Sequence, residues 1–169
     1  MASTIESNKF LSIARMALCI FLAAVLSLAS ACVPNEKTEA KRLAANVESL
    51  LDIKLKGALP TDREDFRDFQ GWGHFYSEFD MASRPLDLAG NANWRELPPD
   101  AEFAAFFSGE ESVFGRSITA PGKGYWFFRN YMGDRTRAFK LTEGSDTWYY
   151  CAAFYDTETD TLTVWYRSR

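Results

Sequence analysis

Between residues 36 and 55, apolar side chains recur at every third or fourth position: Ala40, Leu43, Ala44, Val47, Leu50 and Leu51. Lys37, Lys41, Arg42, Glu48 and Asp52 fall on the remaining faces, so the spacing predicts an amphipathic helix with one buried stripe. Asn35, after Pro34, suits the N-cap, and Glu36 suits the positive end of the helix. Gly57 and Pro60 stop the pattern. Thr61-Asp62-Arg63-Glu64 then has the form of a capping box, with Phe66 and Phe69 three apart, and allows a short helical turn.

From His74 to Met81 the period changes to two. Phe75, Ser77, Phe79 and Met81 alternate with His74, Tyr76, Glu78 and Asp80, the signature of a half-buried strand. Pro85, Gly90, Pro98 and Pro99 make residues 82–99 a loop. Pro99 can open a short helix through Phe103, Phe106 and Phe107, with Gly109 as its stop.

Four further runs are rich in aromatic and β-branched residues: Tyr125–Tyr131, Arg135–Leu141, Thr147–Tyr155 and Thr161–Arg167. Turn residues separate them, which predicts an antiparallel meander. In Thr147–Tyr155, Trp148, Tyr150, Ala152 and Phe154 share one face, and Tyr149, Cys151, Ala153 and Tyr155 share the other. Both faces carry aromatics, so one is expected under the helix and the other under loops. The expected fold class is therefore α+β: a meander sheet of about four or five strands with one long N-terminal helix packed on it. Residues 36–169 read as a single globular domain.

Ahead of that domain the pattern is different. Met16–Leu28 is an uncharged apolar run of 13 residues, preceded by Lys9 and Arg15 and closed by Ala29-Ser30-Ala31-Cys32. It is shorter than the roughly 20 apolar residues of a spanning helix. A basic start, an apolar middle and small residues at the cut are the parts of an export signal, expected over residues 1–31. Leu28-Ala29-Ser30-Ala31-Cys32 also resembles the lipobox of bacterial lipoproteins, in which the cysteine is lipidated and becomes the new N-terminus. The pattern departs from that family in one place, since Leu28 stands one position early and Ala29 takes the usual leucine site. The resemblance implies a lipid on Cys32, a spacer over residues 32–35 and a membrane-anchored envelope protein. Plain secretion remains the alternative, with Cys32 free to bridge Cys151 in an oxidising compartment.

Charge narrows the partners. The chain has 19 basic and 23 acidic residues, a net charge of −4. Nucleic-acid binding calls for clustered Lys and Arg, so nucleic acid is not an expected partner. Neither is electrostatic docking on anionic lipid. The cysteines offer no paired metal-ligand spacing, so no metal or cofactor is expected.

Candidate chemistry is sparse. His74, the only histidine, follows Gly71-Trp72-Gly73, and imidazole is the commonest general acid or base, which makes it the one catalytic candidate. A histidine at a strand start accounts for the same residue. Asp156, Glu158 and Asp160 alternate carboxylates as a calcium loop does, but without the mid-loop glycine and distal glutamate; a solvated hairpin turn explains them. Asp62, Glu64, Asp65 and Asp68 read as wet surface. Ala120-Pro121-Gly122-Lys123-Gly124 leads into a strand instead of a helix, so it is a turn and no phosphate loop.

The aromatic content is the remaining signal: 14 phenylalanines, 7 tyrosines and 5 tryptophans. Most should pack in the core. Exposed ones can stack on sugar rings or dock a protein, with Trp72, Trp126 and Trp165 as binding candidates.

A series of signposts in the mature region resembles small uncharacterised bacterial envelope proteins. They are Leu51-Asp52-Ile53, Leu59-Pro60, Gly71–His74, Trp94–Pro98, Gly124–Phe128 and Ala153–Asp156 with Leu162. The resemblance implies class and address and brings no catalytic residue. The functional expectation is a lipid-anchored, non-enzymatic binding or structural module with a protein or cell-wall partner. A small envelope hydrolase using His74 is the alternative.

Overall fold

The computed structural model describes residues 35–67, 73–131, 141 and 149–168. The segment expected to be an export signal, Cys32, Trp72, Trp148 and nearly all of the strand expected at 135–141 lie outside them. The chain divides into two compact units, Met1–Glu39 and Ala40–Arg169. In the first, Asn35 starts the helix as expected: its Oδ1 accepts from the Lys37 amide at 3.0 Å, and its carbonyl accepts from the Thr38 amide at 2.7 Å.

Helix α1 runs Glu36–Leu51 and is followed by strands β1 (Pro60–Arg67), β2 (Gly73–Asp80) and the two-residue β3 (Arg95–Glu96). Helix α2 (Ala101–Phe114) comes next, then β4 (Gly124–Asn130), β5 (Tyr150–Asp156) and β6 (Thr161–Ser168). Among the described residues the strands form one six-stranded sheet in the order β1-β2-β6-β5-β4-β3, every pair antiparallel. The meander β3-β4-β5-β6 is thus extended by the hairpin β1-β2, which joins through β2 and β6. The α+β class and the antiparallel sheet agree with the sequence; among the described residues there are six strands and two helices where four or five strands and one helix were expected.

The alternation of each strand sends one set of side chains to each face, and a helix covers each set. On one face Leu43, Ala44, Val47 and Leu51 of α1 pack with Phe75, Phe79, Phe127, Cys151, Ala153, Leu162 and Val164. On the other, Phe103, Phe107 and Phe114 of α2 pack with Tyr76, Trp126, Phe128, Tyr150, Phe154 and Trp165. The second face is covered by a helix where loops were expected. Burial of these side chains supplies the main driving force, at about 1.5–3 kcal/mol for each large apolar group.

Two local expectations are corrected. Gly109 does not stop α2; the helix continues to Phe114 and ends at Gly115, whose φ of 62° is the left-handed C-terminal conformation. An interior glycine costs about 1 kcal/mol of helix stability, and the burial of Phe114 at 4% exposure outweighs it. The Thr61–Glu64 segment is extended and belongs to β1, because Asp62, Glu64 and Phe66 pair in register with Glu78, Tyr76 and His74. A capping box is a local preference, and a strand that completes seven pairs with β2 overrides it.

Candidate functional site

The strand register builds one continuous polar patch on the α2 face. Tyr76 stands opposite Trp165, Glu78 opposite Thr163 and Asp80 opposite Thr161. Across the next pair, Thr163 meets Phe154 and Thr161 meets Asp156. Moving along the sheet, aromatic rows under α2 therefore give way to hydroxyls and carboxylates. Helix α2 ends before this region, and the segment Ser117–Pro121 runs past it. The result is a cleft of about 250 Å³. Its walls are the rings of Tyr76, Phe154 and Trp165, and its polar groups include Glu78, Asp156, Thr161 and Thr163.

Within the Trp165 side chain one buried donor is unpaired. The Trp165 Nε1–H is buried and donates to no acceptor among the described residues. Leaving a buried donor unpaired costs about 1–3 kcal/mol, so nearly every such group finds a partner. Ser77 Oγ and Trp94 Nε1 are the other unpaired buried groups, but of the three only Trp165 walls a described cleft. The indole ring itself is fixed, edge-on to Phe154 with centroids 5.1 Å apart and tilted against Tyr76 at 6.0 Å.

The charges around the cleft are ordered. Tyr76 donates its hydroxyl to Glu78 Oε1, and burial together with that carboxylate pushes the phenol well above its ordinary range. Arg116, just after α2, stacks 4.4 Å above the Tyr76 ring and reaches to β1. There its guanidinium donates to Asp62 at 2.6 Å and to Glu64 at 2.9 Å. The bond from Arg116 holds the exposed Glu64 carboxyl below its usual value. With Arg116 engaged by β1, the carboxylates of Glu78 and Asp156 give the cleft a negative lining. At the β5–β6 turn, Asp156 Oδ1 accepts from the Glu158 amide at 2.8 Å, and Glu158 pairs with Lys123 at 2.9 Å. Asp160 accepts from the Tyr155 hydroxyl at 2.6 Å. The carboxylates of this turn thus close a hairpin, and among the described residues no cluster of three or more ligands is arranged to hold a metal.

The structure redistributes the residues singled out from sequence. His74 lies at the start of β2, stacked on Phe66 at 5.5 Å and edge-on to Phe114 at 5.2 Å. It also borders a cleft of about 260 Å³ beside Ser49 and Tyr166, but its ring is on the opposite face. Cys151 is likewise on the α1 face, as a free and fully buried thiol that burial pushes far above the ordinary range. The geometry brings His74 and Cys151 to opposite sides of the sheet, so they form no nucleophile–base pair. Trp126 and Trp165 are 1% and 3% exposed, which corrects the expectation of an open aromatic stacking surface. Trp126 is core; the Trp165 ring forms part of the cleft wall.

Two further features were not legible in advance. On the α2 face, Glu110 receives Arg167 Nη1 at 2.9 Å on both oxygens and the Tyr150 hydroxyl at 2.8 Å, a mostly buried ion pair that ties the helix to the sheet. Beside α1 lies a larger cleft of about 700 Å³ bordered by Glu48, Asp52, Lys54 and Asp87. Size favours this second cleft, but chemistry favours the first. Glu48 already accepts from the Leu55 amide at 2.7 Å and Asp52 from Asn93 at 3.4 Å, and its border mixes both signs of charge. Compared with models of protein families, with curated proteins and with solved structures, the chain matches none.

Proposed function

We propose that this chain is an exported, lipid-anchored envelope protein that works without catalysis, binding a polar group of a cell-wall or protein partner in the α2-face cleft. The observation that carries the binding reading is the cleft itself, where the rings of Tyr76, Phe154 and Trp165 stand beside Glu78, Asp156, Thr161 and Thr163. A rigid aromatic frame with a few convergent polar groups is the usual anatomy of a ligand site. The address rests on the basic start, the apolar run and the small residues ending at Cys32. No helix among the described residues is long and apolar enough to cross a membrane. Anchoring through Cys32 would hold the domain at a surface by acyl chains, at about 0.8 kcal/mol per buried CH₂. His74 has no part in the reading, because its ring packs against Phe66 and Phe114 outside the cleft.

Two measurements test it. Intact mass of the mature protein from its native membrane is expected to show Cys32 as an acylated N-terminus; an unmodified thiol there removes the anchor. Co-sedimentation with washed envelope fragments is expected to be lost in Thr163→Trp, which fills the cleft, and kept in His74→Ala. Retention by the filled variant would remove the cleft from the function.

A further inference from the structure

We infer that the outer edge of β1 pairs with β1 of a second copy of this chain, antiparallel about a two-fold axis at Glu64, so that two subunits share one continuous sheet. Among the described residues β1 bonds to β2 alone and closes one side of the sheet. Its outer side is a row of backbone donors and acceptors, a template for a further strand. Sheets guard such edges by shortness, bulges, proline or charge. The opposite edge, β3, is guarded by its length of two residues. Strand β1 runs for eight residues, and its proline and its register shift both lie at the Pro60 end, so Asp62–Arg67 is regular. Neither helix overhangs it: Glu64 and Phe66 are exposed on the α2 face and Asp65 on the α1 face. Phe66, at 66%, is the most exposed large apolar side chain among the described residues.

Charge selects both the partner and the register. Residues directly opposite in an antiparallel pair interact, favourably for unlike charges and unfavourably for like ones. An axis at Glu64 sets Arg63 opposite the partner's Asp65 and Asp65 opposite the partner's Arg63, two unlike pairs on the α1 face. An axis at Arg63 would set that residue against its own counterpart and Asp62 against the partner's Glu64. An axis at Asp65 would bring two Asp65 carboxylates together. With the axis at Glu64 the one like pair is Glu64 against the partner's Glu64, and each is bonded to Arg116 of its own subunit at 2.9 Å. Phe66 then stands opposite the partner's Asp62, which Arg116 also holds, so the exposed ring gains cover beside an ion pair. The charges that would repel a foreign strand thus become pairs with a second copy, in the two-fold arrangement commonest among identical chains.

Sedimentation velocity of the full chain in detergent, at rising concentration, is expected to show a monomer–dimer equilibrium. Arg63→Asp and Asp65→Arg each turn both unlike pairs into like ones and are expected to weaken the dimer about ten- to a hundredfold. Combining the two restores the pairs with their signs exchanged and is expected to recover dimerisation. A second readout fixes the register. Glu64→Cys puts two thiols at the axis and is expected to give a disulfide-linked dimer on mild oxidation, above the level of the unsubstituted chain, whereas Arg63→Cys is not. Circular dichroism checks that each variant keeps the fold. A chain that stays monomeric at every concentration overturns the inference and leaves a strand of another protein as the occupant of the edge. A dimer indifferent to both single variants, or one that the combined variant fails to restore, overturns β1 as its interface. Equal cross-linking through Arg63→Cys overturns the register.

Discussion

The two faces of the sheet are built from one set of strands and serve different ends. Under α1 the packing is mostly aliphatic and aromatic, closing over Cys151, Ala153 and the Ser77 hydroxyl with no ionised group buried among them. Under α2 the packing is almost wholly aromatic, and it also encloses the Glu110–Arg167–Tyr150 cluster before opening into the Trp165 cleft. Both faces bury an unpaired polar atom, Ser77 Oγ and Trp94 Nε1 under α1 and Trp165 Nε1 under α2, so the difference lies in charge: among the described residues the α2 face encloses an ion pair and the α1 face encloses none.

That contrast can be broken in graded ways. The largest effect is expected from Glu110→Leu, which strands the Arg167 guanidinium in a mostly buried position and should cost about 3–5 kcal/mol in urea unfolding. Replacing both partners with leucine should recover much of the loss; if it does not, the pair does more than neutralise itself. On the opposite face Phe127→Ala should cost a similar 3–5 kcal/mol, entirely through cavity and lost burial. Gly124→Ala tests the sheet beneath both faces. A Cβ there would stand 1.9 Å from the Tyr155 carbonyl oxygen, at a φ of +134°. We expect about 1–3 kcal/mol of strain and a weakened β4–β5 pairing, read as faster amide exchange along β5. The smallest effect is expected at the cleft: Thr163→Val should change stability by no more than about 0.5 kcal/mol while altering ligand binding. A large destabilisation by Thr163→Val would make the cleft part of the core and erase the contrast.

Alkaline titration sharpens the same picture. Burial, with the Asp160 carboxylate second, pushes Tyr155 up to about 12, and Tyr76, Tyr150 and Tyr166 are raised by burial as well. In the unfolded chain a tyrosine ionises near 10. The unfolded state therefore loses its protons first, and stability held below pH 10 should fall as pH rises from there through 12. Urea midpoints measured across that range check it, and a flat profile would mean the phenols are as hydrated folded as unfolded.

How far the sequence foretold this depends on the range of the interaction. Helix α1 was readable because Leu43, Val47 and Leu51 carry the helical period unaided, and β5 and β6 were readable because alternation is equally local. Strand β1 was not. It is an edge strand with charges on both faces, and Asp62 and Glu64 make sense only beside Arg116, more than fifty residues away. The length of α2 was hidden by Gly109 and by Glu110, a charged residue in the buried stripe whose partner lies in β6. Trp165 was singled out, though for exposed stacking. Its true position follows from the pairing of Tyr76 with Trp165 and Glu78 with Thr163, a register that no single segment contains.

Cys151 has a practical side. Its sulfur is a free thiol closed within the layer beneath α1, and burial holds it in the protonated, unreactive form. The globular domain therefore asks nothing of the redox state around it. Residues 36–169 should reach the same fold when made in a reducing cytoplasm as in an oxidising compartment, and thiol reagents should label Cys151 only as fast as the domain unfolds.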